Sequence, residues 1–469
     1  MKNNKFFLGI AIAALVLTTA CDNDDDQPLS PELGVTIEKE TFEESDGTIT
    51  ISFTTPAAFS TDVVINYEVS GTAAAGEDYD EFPGSITLLQ GETSITQIIQ
   101  LIDDDVVEQA ETIIFTITTD VAGNTDPIAS NTTLTLTIND NDAFPFENGI
   151  LVLHEGNFFG GNASVSFVSE DLGTIENGIF TTVNDRALGD TAQSMAFNGD
   201  LAYIVVNNSQ TVEVVNRYTL ETVATVDSGL LNPRYMAFAN GKGYVTNWGD
   251  GGDRGDDYIA VIDLETYTVA STISVPEGPE WILANGNTLY VAHQGGFNQN
   301  NIVSVIDAMS DTTADPIVVG DSPNSMQLVN NELWVLSGGK PAFTQAETAG
   351  QLDRIDITTN TVTATLPFPE ITDHPNYLSI DGNQLYYALK GAVFQIATTA
   401  TEIPSTALIS DISFYDMTVN DGRLYGVDAK DFVSNGSLEV YDIASSSLLE
   451  SLEISIIPGA VYFNDSFSF

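Results

Sequence analysis

The chain has 469 residues and carries 67 Asp and Glu against 13 Lys and Arg, a formal charge of −54. That balance excludes docking on a nucleic-acid backbone, which requires clustered Lys and Arg. Hydrophobic residues at 43%, with 24 Phe, 16 Tyr and 3 Trp, are enough to build cores, so the acidity does not imply disorder. A single cysteine, Cys21, excludes an intrachain disulfide, a thiolate zinc site and CxxC chemistry.

In chain order, residues 1–20 read as a targeting segment. Lys2 and Lys5 make a basic start, Phe6 to Val16 an apolar core too short to span a membrane as a mature helix, and Thr18-Thr19-Ala20 lead into Cys21. The segment resembles a bacterial lipoprotein signal, which implies that Cys21 is the acylated N-terminus; an ordinary signal peptide cut after Ala20 is the alternative. The run Asp22-Asn23-Asp24-Asp25-Asp26 resembles the acidic export tag of surface lipoproteins of Bacteroidota, implying a protein anchored in the outer membrane and facing the cell exterior. Residues 21–33 form a polar tether. No other stretch approaches ~18 continuous apolar residues, so the lipid is the only membrane attachment expected.

From residue 34 the pattern is that of strands. GTITISF, TDVVINYEV, GSITLLQ, TQIIQLI, TIIFTITT and TLTLTIN alternate apolar and polar residues between Gly, Asp and Asn clusters, and six or seven such strands predict a β-sandwich over residues 34–142. Its acids fall at strand ends, which converge on one edge of a sandwich. Without a cation they repel one another, and a hard ion taking six to eight oxygens at about 2.4 Å relieves this. The stretch GTAAAGEDYDEFPGSITLLQGETSITQIIQLIDDDVVEQAET resembles the immunoglobulin-like Calx-β domain. The resemblance implies Ca²⁺ ligands at Glu44, Asp78, Asp103, Asp104, the carbonyl of Val106, Glu108, Glu111, Asp140 and Asp142, with Asn141 departing from the triple-Asp ending of the family. A solvated acidic rim is the alternative.

After a linker at 143–148, a unit of about 40 to 45 residues recurs, with four strands each, as in a β-propeller. Unit starts fall at Gly149, Ala192, Pro233, Pro279, Pro323, Pro375 and Ser413, which predicts seven blades over 149–469. The final PGAVYFN reads as an opening strand that pairs into the first blade and closes the ring. GKGYVTN, IAVIDLETYTV and NIVSVID resemble the YVTN or YncE-like seven-bladed propellers, a likeness that specifies fold rather than activity. LHEGNFFGGNASVSF, LGDTAQSM, NPRYMAF and VLSGG resemble the BtuG-type surface lipoproteins. That narrower likeness implies capture of a corrinoid beside a TonB-dependent outer-membrane transporter.

Independently of any resemblance, loops on one face of the ring collect large and polar side chains. Asn157, Phe158, Asn208, Arg234, Trp248, His293, Phe297, Asn324 and Phe432 are the binding residues expected there, suited to a large and partly apolar ligand. Trp334, inside a strand, is expected to be core. No GxSxG elbow, P-loop, GxGxxG opening a helix or HExxH is present, and no catalytic residue is assigned. His154, His293 and His374 lie on three blades, where hydrogen-bonding roles are expected before a shared metal. The reading is a non-enzymatic surface lipoprotein with a calcium-binding stalk and a ligand-capturing propeller. A calcium-dependent adhesion or structural module is the second reading and an extracellular enzyme the third.

Overall fold

A computed structural model describes residues 33–117 and 133–467. Cys21, the expected signal segment and the tether up to residue 32 lie outside the described residues. The chain divides into two units, Met1–Asp142 and Ala143–Phe469.

The first unit is a β-sandwich. One sheet orders the strands Gly34–Ile37, Thr48–Thr54 and Ser94–Gln100. The other orders Thr41–Glu43, Thr133–Asn139, Glu111–Ile117, Val63–Gly71 and Ser85–Leu88. Period two explains the core: Ile49, Ile51 and Phe53 point inward while Thr48, Thr50 and Thr54 are exposed. Ile99 on the neighbouring strand of the same sheet and Ile65, Ile113, Phe115 and Leu136 from the facing sheet complete the core. Each such side chain contributes about 1.5 to 3 kcal/mol by its burial. Among the described residues eight strands form where six or seven were expected. The two missed, Gly34–Ile37 and Thr41–Glu43, are too short to display a period. Gly71 is required where its strand crosses Thr112: its φ is +134°, and a Cβ would lie 2.0 Å from the Thr112 carbonyl oxygen.

The second unit is a β-propeller of seven sheets, numbered here as blades 1 to 7. The innermost strands of blades 2 to 7 are Ala192–Asn198, Pro233–Ala239, Pro279–Asn285, Pro323–Val329, Asn376–Asp381 and Asp416–Asn420. The expected starts therefore hold to within three residues. Gly149 opens the second strand of blade 1, whose innermost strand is the C-terminal Pro458–Asn464, paired antiparallel with Gly149–His154. That closing strand also touches the innermost strands of blades 7 and 2, completing the circle. Second strands such as Leu201–Val206, Thr288–His293 and Glu332–Ser337 are buried on both faces between adjacent blades, which is why they read as unbroken apolar runs rather than alternating ones. Trp334 lies fully buried, as expected of a core residue, at the register position that Tyr203, Tyr244, Tyr290, Tyr386 and Tyr425 hold in their blades.

The stretch 143–148 is packed into this unit rather than free. Phe144 stacks on Tyr218 at 5.8 Å, Phe146 is buried against Phe167, and the Phe146 N–H donates to the Tyr218 carbonyl at 3.0 Å.

Candidate functional site

In the first unit, the turn Glu44–Asp46, the loop before Asp78, the segment 103–111 and the end of Thr133–Asn139 bring acids together, as the strand ends lead one to expect. They form two trios rather than one set. Glu44, Asp104 and Asp142 offer oxygens within 4.8 Å of one another, and so do Asp78, Glu108 and Glu111. Asp140 stands between them, accepting the N–H groups of Glu108 at 2.6 Å and Asp142 at 2.7 Å, so it shapes the loops that carry ligands. Asp103 belongs to neither trio and accepts from Asn141 at 3.2 Å. Asn141 in turn accepts the Ser45 N–H at 3.0 Å, a bridging role that an aspartate would perform only in half. Val106 is exposed, its N–H donating to Asp104 at 2.8 Å.

The electrostatics of these trios ask for a cation. Burial, then the neighbouring acids led by Asp140, push Glu44 up to about 7. Burial, then Asp78, push Glu111 up to about 7. Glu108 and Asp142 are raised for the same reasons. Glu111 Oε2 and Asp142 Oδ2 are buried without a hydrogen-bond partner. Lys39 is the sole Lys or Arg between residues 33 and 142, and it is paired with Asp46. Carboxylates without a protein cation and with unsatisfied buried oxygens are the donor set that a hard divalent ion takes.

In the propeller, a recurring β-bulge determines what reaches the axis. The pairing of innermost and second strands slips at the opening of the innermost strand in blades 1 to 6. Bulges re-aim a side chain. The residue after the opening Pro is Arg234 in blade 3, Glu280 in blade 4 and Asn324 in blade 5, and the corresponding residue of blade 7 is Tyr415. Blade 1 has Gly459 there, and the space it leaves is taken by Glu155, whose Cγ would lie 3.1 Å from a Cβ at 459.

These side chains interact across the ring. Arg234 donates to both carboxylate oxygens of Glu280, at 3.0 and 2.9 Å, and lies 4.1 Å over the Trp248 ring. Tyr415 Oη donates to Glu155 at 3.0 Å. Tyr235 packs on Trp281 at 4.8 Å. Burial raises Glu155, and Arg234 and Glu280 act on it from blades 3 and 4. Burial, opposed by the Met417 N–H and reinforced by Glu155, pushes Asp416 up to about 7. Glu155, Arg234, Tyr235, Glu280, Tyr377, Tyr415 and Asp416 thus share one axial pit at the loop end of the ring. Glu155 and Asp416 were missed by sequence reasoning. Aligning the units on the Met that recurs in the innermost strand (Met195, Met236, Met326, Met417) and reading the two residues before it as axial would have found Asp416.

Around the pit stand apolar side chains on loops. Phe158 and Phe159 are 64% and 79% exposed, their rings 4.2 Å apart; Phe297 is 60% exposed and meets Trp248 edge-on at 5.6 Å; Phe432 is 47% exposed and meets Tyr415 at 5.3 Å. Phe343, Ile371 and Val433 are exposed on loops of the same end. The amides expected among these residues are mostly engaged. Asn157 donates to the Phe432 carbonyl at 3.0 Å, and Asn324 to the Pro375 carbonyl at 2.9 Å, each tying neighbouring blades together. Asn208 is half-buried in the corresponding loop of blade 2.

His293 does not face this surface. It is fully buried, with Nε2 2.8 Å from Ser304 Oγ and Nδ1 3.3 Å from the Glu277 carbonyl, and burial presses its pKa down to about 4. His154 repeats the arrangement with Ser166 in blade 1. His374 bonds to the Gly338 carbonyl and Glu347, so the three histidines have three separate sets of partners. A cavity of about 640 Å³, lined by residues including Arg423, Tyr425 and Phe463, opens at the opposite end of the ring between blades 7 and 1. It lacks the aromatic rim and the bidentate pair of the loop end.

A family model described as a domain of unknown function, DUF5074, matches residues 148–427, and a Calx-beta domain model matches residues 25–142. No curated protein matches the chain. Among solved structures, a functionally unknown protein from Desulfotomaculum acetoxidans is 12% identical with a TM-score of 0.51, covering 68% of this chain and 100% of its own. BamB from Moraxella catarrhalis is 13% identical with a TM-score of 0.41, covering 67% of this chain and 85% of its own. At these identities the likeness concerns the fold alone.

Proposed function

The chain belongs to the family described as domain of unknown function DUF5074, and we propose that it is a lipid-anchored cell-surface protein whose Calx-beta unit binds calcium and whose propeller captures an extracellular ligand on its loop face. The observation that carries this reading is the convergence, at one end of the ring, of exposed aromatics around a pit of charged and phenolic groups contributed by several blades. Ligand sites combine apolar contact area with a few placed polar groups in this way. Glu44, Asp104 and Asp142 would hold one calcium ion, and Asp78, Glu108 and Glu111 a second. When bound, calcium neutralises the paired acids and ties the strand ends into a stiff stalk. The protein's own contribution is to present the oxygens, with Asp140 and Asn141 fixing the loops.

A corrinoid is the ligand we propose for the face, delivered to a TonB-dependent transporter: its broad macrocycle edged with amides matches a ring of phenyl groups wider than one side chain. Binding without turnover is part of the proposal. Calorimetry of the full mature chain with cyanocobalamin tests it. Binding at micromolar concentration or tighter is expected, and Phe297→Ala or Phe432→Ala should weaken it by roughly thirtyfold, the effect of losing about 2 kcal/mol at an aromatic anchor. Absence of heat would remove the corrinoid. Binding untouched by both substitutions would move the site off this face.

A further inference from the structure

The axial pit carries a charge imbalance that the protein leaves unresolved. Three carboxylates from three blades meet there: Glu155 of blade 1, Glu280 of blade 4 and Asp416 of blade 7. The cation among them, Arg234, is engaged by Glu280 through both carboxylate oxygens at 3.0 and 2.9 Å, and its flat face lies on Trp248. Glu155 receives one hydrogen bond, from Tyr415 at 3.0 Å, and no ion pair joins it or Asp416 to Lys, Arg or His among the described residues. Both acids are only partly open to solvent. The aromatic rings of Tyr235, Tyr377, Tyr415 and Tyr462 surround them, and each of these hydroxyls is raised by burial first and by nearby acids of the pit after it.

Two acids without a cationic partner inside a box of phenol rings form a recognisable chemistry. A bare metal ion does not suit it, because carboxylate trios close enough to share one ion occur, among the described residues, only in the first unit. An anion does not suit it, because the one guanidinium is already charge-paired with Glu280 and carboxylates outnumber it. A primary ammonium fits: it donates hydrogen bonds to Glu155 and Asp416, offsets part of their uncompensated negative charge, and is attracted to ring faces through their quadrupoles. We propose that the axial pit binds the ammonium head of a small organic amine, held by Glu155 and Asp416 within the rings of Tyr235, Tyr377 and Tyr415. The inference rests on the loop face as the binding face but not on the corrinoid.

The test is calorimetry of the full chain with n-butylammonium chloride, using butan-1-ol as the uncharged probe of the same length. The amine should bind and the alcohol should not. Glu155→Gln with Asp416→Asn should weaken the amine at least about tenfold, and each single substitution should weaken it several-fold, which keeps the test decisive should the double variant not fold. Asp421→Asn, an acid lining the cavity at the opposite end, controls for general attraction to a chain of charge −54 and should change nothing. Equal binding of alcohol and amine, an unchanged double variant, or an equal loss in Asp421→Asn would each overturn the site. Amine binding without any response to cyanocobalamin would remove the corrinoid and leave this site standing, whereas the reverse pattern would remove this site alone.

Discussion

Residues of one type have diverged into separate roles here according to depth. Trp334 and Trp248 both follow a strand pattern, but Trp334 fills the gap between blades while Trp248, at a strand's end, carries Arg234 on its face. His293 was expected on the binding face because a strand terminus borders the loops; instead its ring turns inward to Ser304. His293→Ala should therefore lower stability by about 2 to 3 kcal/mol, through the cavity and the unpartnered hydroxyl, and leave ligand affinity unchanged. The sign of its pH dependence follows from a pKa lowered from 6.5 to about 4. Its neutral, buried form favours folding fully above about pH 6.5, and that contribution is lost as pH falls through about 4. Denaturant melts at pH 7 and pH 4 check this: the difference between His293→Ala and the parent chain should shrink at the lower pH. Equal differences at both would mean the ring is not the buried neutral group it is taken for.

At the scale of elements, the repeated bulge and the paired acid loops do the positioning. The bulge explains why neighbouring units with different residues after the opening Pro still deliver them to one place. Gly278 permits the approach of two loops behind Glu280: its φ is +70°, and a Cβ there would fall 2.0 Å from the Gly296 nitrogen. In the first unit, the loops carrying Asp104 and Glu111 each complete one trio, so one substitution in each addresses both ions. Calcium should raise the melting temperature of the full chain, by about 2.7 kcal/mol of stability at a hundredfold excess over Kd. Asp104→Asn with Glu111→Gln should abolish the rise. Glu44 and Glu111 are raised from 4.5 to about 7, so without the ion they favour the fold fully below about pH 4.5, and that contribution is lost as pH rises through about 7. The calcium effect should accordingly be largest at pH 8 and small at pH 5. Melts with calcium and with chelator at those two values decide it; identical curves at pH 8 would end the calcium reading.

For the whole molecule, closure of the ring is the event on which the propeller depends. Pro458–Asn464 supplies the innermost strand of blade 1, Tyr462 Oη accepts the Met195 N–H of blade 2 at 2.8 Å, and Asn464 Nδ2 donates to the Arg217 carbonyl at 2.9 Å. Ending the chain at residue 457 should expose the edges of blades 1 and 7 and leave the ring unable to fold, detected as loss of the cooperative melt and as aggregation. A truncated chain that still melts cooperatively would show that closure is dispensable. Architecture was legible in the sequence because it follows from local signals: a period of two, unit length, and turn residues at fixed offsets. The acid set of the first unit was legible as a set for the same reason, since strand ends carry it. Its division into two trios was not, because that depends on distances between residues such as Glu44 and Asp142 that no spacing encodes. The axial pit was legible only in part. Arg234 stood out as a rare cation, but Glu155 enters because Gly459, about three hundred residues away, leaves it room, and its hydrogen bond to Tyr415 spans 260 positions. Side chains meet there because the ring closes, and only the closed ring determines which of them stay open to a ligand.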